Sequence, residues 1–150
     1  MENIYDPKKL EALIQRIQQL TPDSKPLWGK MTVAEMLAHS SLVFEYNNGK
    51  RQAKVNPIMR FLLSPMMKGV IIGPKPYKRN SPTAPYFRIA STEGFEIEKA
   101  RLISNLSAYS NEGPEVASSR QHVWLGKLSS EEWSWAMFKH LDHHLQQFGV

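Results

Sequence analysis

Three histidines carry the chemistry that this chain could perform: His39, and the pair His140 and His144. The pair is spaced i, i+4 in a segment of helical pattern, which sets two imidazoles one turn apart on one face. That spacing suits a shared transition-metal ion, and a third imidazole from another helix would complete a three-nitrogen site with open positions. The chain has no cysteine. Thiolate-held zinc, iron–sulfur clusters, disulfides and an internal thiol nucleophile are therefore excluded, and a metal must be held by imidazole or oxygen.

Positioning these rings is the task of the helices. Asp6 followed by Pro7 reads as an N-cap and first helical residue, after which Leu10, Leu13, Ile14, Ile17 and Leu20 recur at helical spacing up to Thr21-Pro22-Asp23. Thr32-Val33-Ala34-Glu35 is a capping box that opens a second helix, expected to run to about Tyr46 and to stop at Asn47-Asn48-Gly49. At about 100° per residue, Met36, His39, Val43 and Tyr46 share one stripe, with His39 near its centre. A third helix is expected from about Thr92 to Ser110, ended by Asn111-Glu112-Gly113-Pro114. A polar loop with His122 and Trp124 leads to a second capping box, Ser129-Ser130-Glu131-Glu132. The fourth helix then runs to about Phe148 with Trp133, Met137, His140, His144 and Phe148 on its apolar stripe. One inward histidine is more often a hydrogen-bonded core residue than a ligand. Two on one stripe, with a third central to another, each need a buried partner. His122 and His143 are expected at the surface or rim.

The long connection between the second and third helices differs from the rest. A short apolar helix, broken at Pro65, is expected over roughly Pro57 to Val70, followed by the proline-rich run GPKPYKRNSPTAPYF. Tyr77, Tyr86 and Phe87 argue that this run packs on the body. Between Tyr46 and Thr92 there are nine basic residues and no acidic one, while the remainder holds ten basic and fourteen acidic residues, so the excess positive charge of the chain belongs to this segment. Its apolar helix either covers the open end of the helical body or forms a homodimer contact, with the dimer slightly favoured.

Length and composition set the frame. The 150 residues fit one domain, 1–150, and a 41% hydrophobic share with 22% charged residues is that of a water-soluble chain. No uncharged apolar stretch reaches the roughly 18 residues of a membrane span, and the N-terminus lacks a signal-peptide layout, so no membrane partner and a cytoplasmic location are expected. No helix-turn-helix or other reading motif accompanies the basic segment, which argues against nucleic acid.

Three segments, LTPDSKPLWGKMTVAEMLAHS, PKPYKRNSPTAPYFRI with the following FEIEKARL, and WLGKLSSEEWSWAMFKHLDHHLQQFGV, resemble the DinB/YfiT-like superfamily, nearest a small bacterial subfamily of unknown function. The resemblance covers nearly the whole chain. It implies an all-α fold, a four-helix bundle with a long, Pro-rich crossover between helices two and three. It also implies a metal triad of His39 in MLAHS with His140 and His144 in KHLDHH, holding zinc, nickel or a similar divalent ion. Relatives of this kind include thiol-dependent transferases and isomerases as well as proteins described as metal-dependent hydrolases.

The leading expectation is thus a metal-dependent transferase or hydrolase acting on a small molecule, with a low-molecular-weight thiol as a candidate co-substrate. The basic loop from Lys75 to Arg88, with Tyr77, Lys78 and Arg79, would receive an anionic group of that thiol or substrate. Tyr46, Asn105 and Tyr109 are candidates to line the cavity. Glu35 could orient the imidazole of His39, although its capping role competes. The alternative is a bundle that binds a metal or small molecule without catalysis; a nucleic-acid-binding protein ranks behind both.

Overall fold

The computed structural model describes residues 2–150 and is predominantly helical. Each helix begins where side chains can satisfy its free amides. The Asp6 side chain accepts from Lys8 N–H at 2.9 Å and opens α1, Pro7–Gln19. Thr32 and Glu35 form the reciprocal box of α2, Val33–Asn47, and Ser129 and Glu132 form that of α5, Ser130–Gln147. Glu35 is spent on this role, its carboxylate accepting from Thr32 N–H at 2.7 Å and from the Thr32 hydroxyl at 3.1 Å.

Two further helices depart from the expected boundaries. The crossover helix α3, Pro57–Ile71, runs through Pro65 instead of breaking there. Pro65 lies on the exposed side, where the orphaned carbonyl one turn earlier can be solvated, so the helix continues through it. Its N-terminus is held by the Asn56 side chain, which accepts from Ile58 and Met59 N–H. Next, α4 begins at Phe95 and reaches Ser119, beyond the expected stop. Gly113, at φ 86° and ψ 169°, kinks it, and Pro114 then starts a new helical stretch. Proline suits a first helical position, because its missing N–H would be unpaired there anyway.

Helices α1, α2, α4 and α5 pack on one another around a core that includes Leu13, Ile17, Met36, Leu37, Phe44, Leu102, Leu106, Tyr109, Trp133 and Leu141. The N-terminal segment is sewn between α4 and α5: Ile4 N–H donates to Ser134 Oγ at 2.8 Å, and Ser110 Oγ donates to the Ile4 carbonyl at 2.8 Å. Between α2 and α4, Glu45 accepts from Arg51 Nε, from Arg101 Nε and Nη2 and from Asn105 Nδ2, at 2.7–3.1 Å. Burial opposes ionisation there, but the bonds from Arg101, Arg51 and Asn105 outweigh it and hold the Glu45 carboxyl at about 2.

Unlike the other four, α3 buries none of its residues. Ile58, Met59, Phe61, Leu62, Met66 and Val70 stay exposed on it. It is tied down at its end by the buried Lys139 of α5, whose ammonium donates to the carbonyls of Val70 (2.6 Å) and Gly73 (2.9 Å). The positive charge faces the negative end of the helix dipole. The proline-rich run then packs on the body through a 3₁₀ turn, Pro85–Phe87, and no helix among the described residues is long and apolar enough to cross a membrane.

Candidate metal centre

His39, His140 and His144 converge. Their ligating nitrogens all lie within 4.8 Å of one another, and the rings sit 4.8 to 5.1 Å apart between centroids. The Nε2 atoms of His39 and His140 are 3.2 Å apart. Two nitrogens about 2.0–2.1 Å from a tetrahedral ion are separated by roughly 3.3 Å, so this spacing fits a shared cation.

The rings are oriented from behind. The Phe87 carbonyl, at the end of the 3₁₀ turn, accepts from His39 Nδ1–H at 2.9 Å. A carbonyl can only accept, so the proton is on Nδ1 and the Nε2 lone pair faces the centre. Gln147 serves His144 in the same way. Its Nε2 donates to the Trp28 carbonyl at 2.8 Å, which turns Oε1 toward His144 Nδ1–H, also at 2.8 Å. Such outer partners set tautomer and aim, as they do in established metal sites.

The electrostatics favour the ligating form. Burial lowers the pKa of His39, and burial reinforced by the neighbouring His144 and His39 lowers that of His140 well below the usual range. Burial, aided by His39, brings His144 down to about 3 against the opposing bond to Gln147. Three imidazoles that stay neutral near physiological pH are three available lone pairs.

The triad opens onto a cavity of about 590 Å³, between α2, α5, the end of α3 and the crossover. Tyr77 lines it, with its ring 6.2 Å from that of His140, 5.6 Å from that of His143 and 4.6 Å from the Lys139 ammonium. Burial raises the Tyr77 pKa, so the phenol keeps its proton. His143 stands at the cavity wall, half-buried, beside Trp28.

Other residues singled out from the sequence lie elsewhere. Tyr46 packs on the rings of Tyr86 and Phe87, behind the lining. Asn105 bonds Glu45 and Lys50 between α2 and α4, and Tyr109 is fully buried against Tyr5 and Phe44. Their stripe does face inward, but toward the far side of α2. Lys78 and Arg79 are exposed and outside the lining, and the Arg79 guanidinium sits 4.2 Å from the Trp28 ring centroid. His122, expected at the surface or rim, is buried. It lies on the two-residue strand β1, Gln121–His122, paired with β2, Gly126–Lys127, and its ring packs 5.4 Å from Trp133. A short hairpin replaces the expected polar loop and turns this side chain inward.

Gln147, Phe87 and Trp28 escaped the sequence reading. Gln147 had a signal, because it follows His144 at i+3 on the same helix face. The two carbonyls had none, since any residue carries one. No protein-family model, curated protein or solved structure compared with the chain matches it.

Proposed function

We propose that the chain is a metal-dependent enzyme of the DinB/YfiT-like superfamily, a four-helix bundle of α1, α2, α4 and α5 with α3 and the Pro-rich run as crossover. On this reading His39, His140 and His144 hold a divalent ion, zinc or nickel, and the protein acts on a small molecule as a thiol-dependent transferase or a hydrolase. The observation that carries it is the convergence of three neutral imidazoles, two of them oriented from behind, at a cavity large enough for a small molecule.

When bound, such an ion supplies Lewis acidity that favours deprotonation of a water or thiol near neutral pH. The Phe87 carbonyl and Gln147 keep two of the ligating nitrogens aimed inward. The lining is mostly apolar, and the Tyr77 phenol can donate to a substrate oxygen. A thiol co-substrate would have to enter from outside, because the chain contains no cysteine.

One observation favours the non-catalytic alternative, a bundle that stores or senses its ligand. Among the described lining residues there is no Asp or Glu, which leaves proton transfer to His143, Tyr77 or solvent. Turnover of electrophiles paired with bacterial thiols separates the two readings. The metal itself is tested by assaying the untagged protein. About one ion per chain is expected, and its loss in His140→Ala; metal content unchanged by that substitution removes the basis of the proposal.

A further inference from the structure

The cavity holds a second built polar point. His122 is 8% exposed and lines the same space as the triad. Its Nδ1 accepts the backbone N–H groups of both Trp124 and Leu125 at 3.2 Å. With Nδ1 committed as an acceptor, the neutral ring must carry its proton on Nε2. No group among the described residues accepts from that Nε2–H, and the atom is not sealed from contact. A donor without a protein partner, on an otherwise buried ring that lines a cavity, is free to bond to what enters that cavity.

Trp124 joins this donor to another. Its indole Nε1–H donates to the Tyr86 hydroxyl at 2.7 Å, so the Tyr86 oxygen is used as an acceptor and its own proton remains to be given. Tyr86 also lines the cavity. The hairpin tip and the 3₁₀ turn therefore make one wall with two neutral donors. Around them the lining is mainly apolar and aromatic, with no carboxylate among its described residues; its one permanent charge, Lys30, is itself exposed.

We infer that this wall binds a hydrogen-bond-accepting oxygen (carbonyl, sulfonyl or ether) on a largely apolar substrate, with His122 Nε2–H as the anchor and Tyr86 O–H beside it. The donor is permanent at physiological pH, because burial and the nearby Arg60 bring the His122 ring down to about 4. The inference rests on reading the cavity as the chamber that receives the substrate. It does not depend on the identity of the ion.

Three probes of similar size test it by calorimetric titration of the full chain as purified: methyl phenyl sulfone, benzenesulfonate and cumene. Binding of the oxygen-bearing sulfone and sulfonate should depend on His122, and binding of cumene should not. His122→Phe should weaken the sulfone about tenfold, the worth of one neutral hydrogen bond, and leave cumene almost unchanged. In the wild-type protein labelled with ¹⁵N-histidine, the sulfone but not cumene should shift the His122 Nε2 resonance, a readout independent of how well the variant folds. Equal losses for sulfone and cumene, or an unmoved His122 resonance, would overturn the inference. Metal content is assayed on the same samples. An ion lost with probe selectivity intact sinks the metal reading alone, and an ion retained without selectivity sinks this one alone.

Discussion

Replacing Gln147 with leucine should weaken metal binding without touching a metal ligand. The side chain is buried and bridges two elements, accepting from His144 Nδ1–H and donating to the Trp28 carbonyl, each at 2.8 Å. Leucine keeps most of the volume and removes both bonds. His144 is then free to rotate or to exchange its tautomer, and the loss of such an outer partner typically costs about 10–100-fold in metal affinity, or about 1.4–2.8 kcal/mol. Two buried polar groups also lose partners, which costs on the order of 2 kcal/mol of stability and lowers Tm by roughly 4–8 °C in a chain of this size. Gln147→Glu separates the two effects. It keeps an acceptor for His144 but sets an acceptor against the Trp28 carbonyl, so metal affinity should hold while Tm falls. Gly29→Ala should act through the same contact: at φ +84° a Cβ there would stand 2.6 Å from Gln147 Nε2 and push the amide away. Competition against a chromophoric chelator reads affinity, and circular dichroism verifies the fold. A folded Gln147→Leu protein that binds zinc and nickel as tightly as wild type would refute the argument.

Three other expectations follow from the same coordinates. Because the folded pKa of His122, about 4, lies below the ordinary 6.5, its neutral burial contributes stability that is complete above about pH 6.5 and lost as pH falls toward 4. His122→Phe should flatten chemical-denaturation stability across that window by at most about 3 kcal/mol; an unchanged pH profile would count against it. Glu45, depressed to about 2, contributes stability that is present above about 4.5 and lost below it. Glu45→Gln should therefore cost about 2 kcal/mol at pH 7 and little near pH 2, as measured by urea titration. Finally, if α3 pairs two copies through its exposed face, Phe61→Ser with Met66→Ser should convert a dimer to monomer in light scattering. A wild-type monomer would dismiss that contact.

Much of the framework was legible in the chain. Asp6, Thr32 with Glu35, and Ser129 with Glu132 all cap helices where their types and spacing said they would. His39, His140 and His144 do come together as a set. The misreadings have local causes. Gly113-Pro114 is both a stop signal and a legitimate restart, and only the packing of the chain beyond it selects the kink. Pro65 breaks a helix whose proline face is buried, but here that face is exposed. Asn105 and Tyr109 lie on an inward stripe, but they meet Glu45 and Phe44 instead of the cavity.

Sequence alone determined what is decided within a turn or two of helix: the caps, the apolar stripes, the i, i+4 pair and the concentration of positive charge between Tyr46 and Thr92. Those features depend on neighbours three or four residues away, which any reader of the chain can see. The working geometry needed contacts between distant positions. His39 meets its carbonyl partner 48 residues on and His140 at a separation of 101. Gln147 reaches back 119 residues to Trp28, and His122 turns inward because a hairpin and Trp133 enclose it. A backbone carbonyl has no signature in the letters, and the direction of a ring is set by what surrounds it, so only the assembled fold could decide how the three imidazoles are aimed.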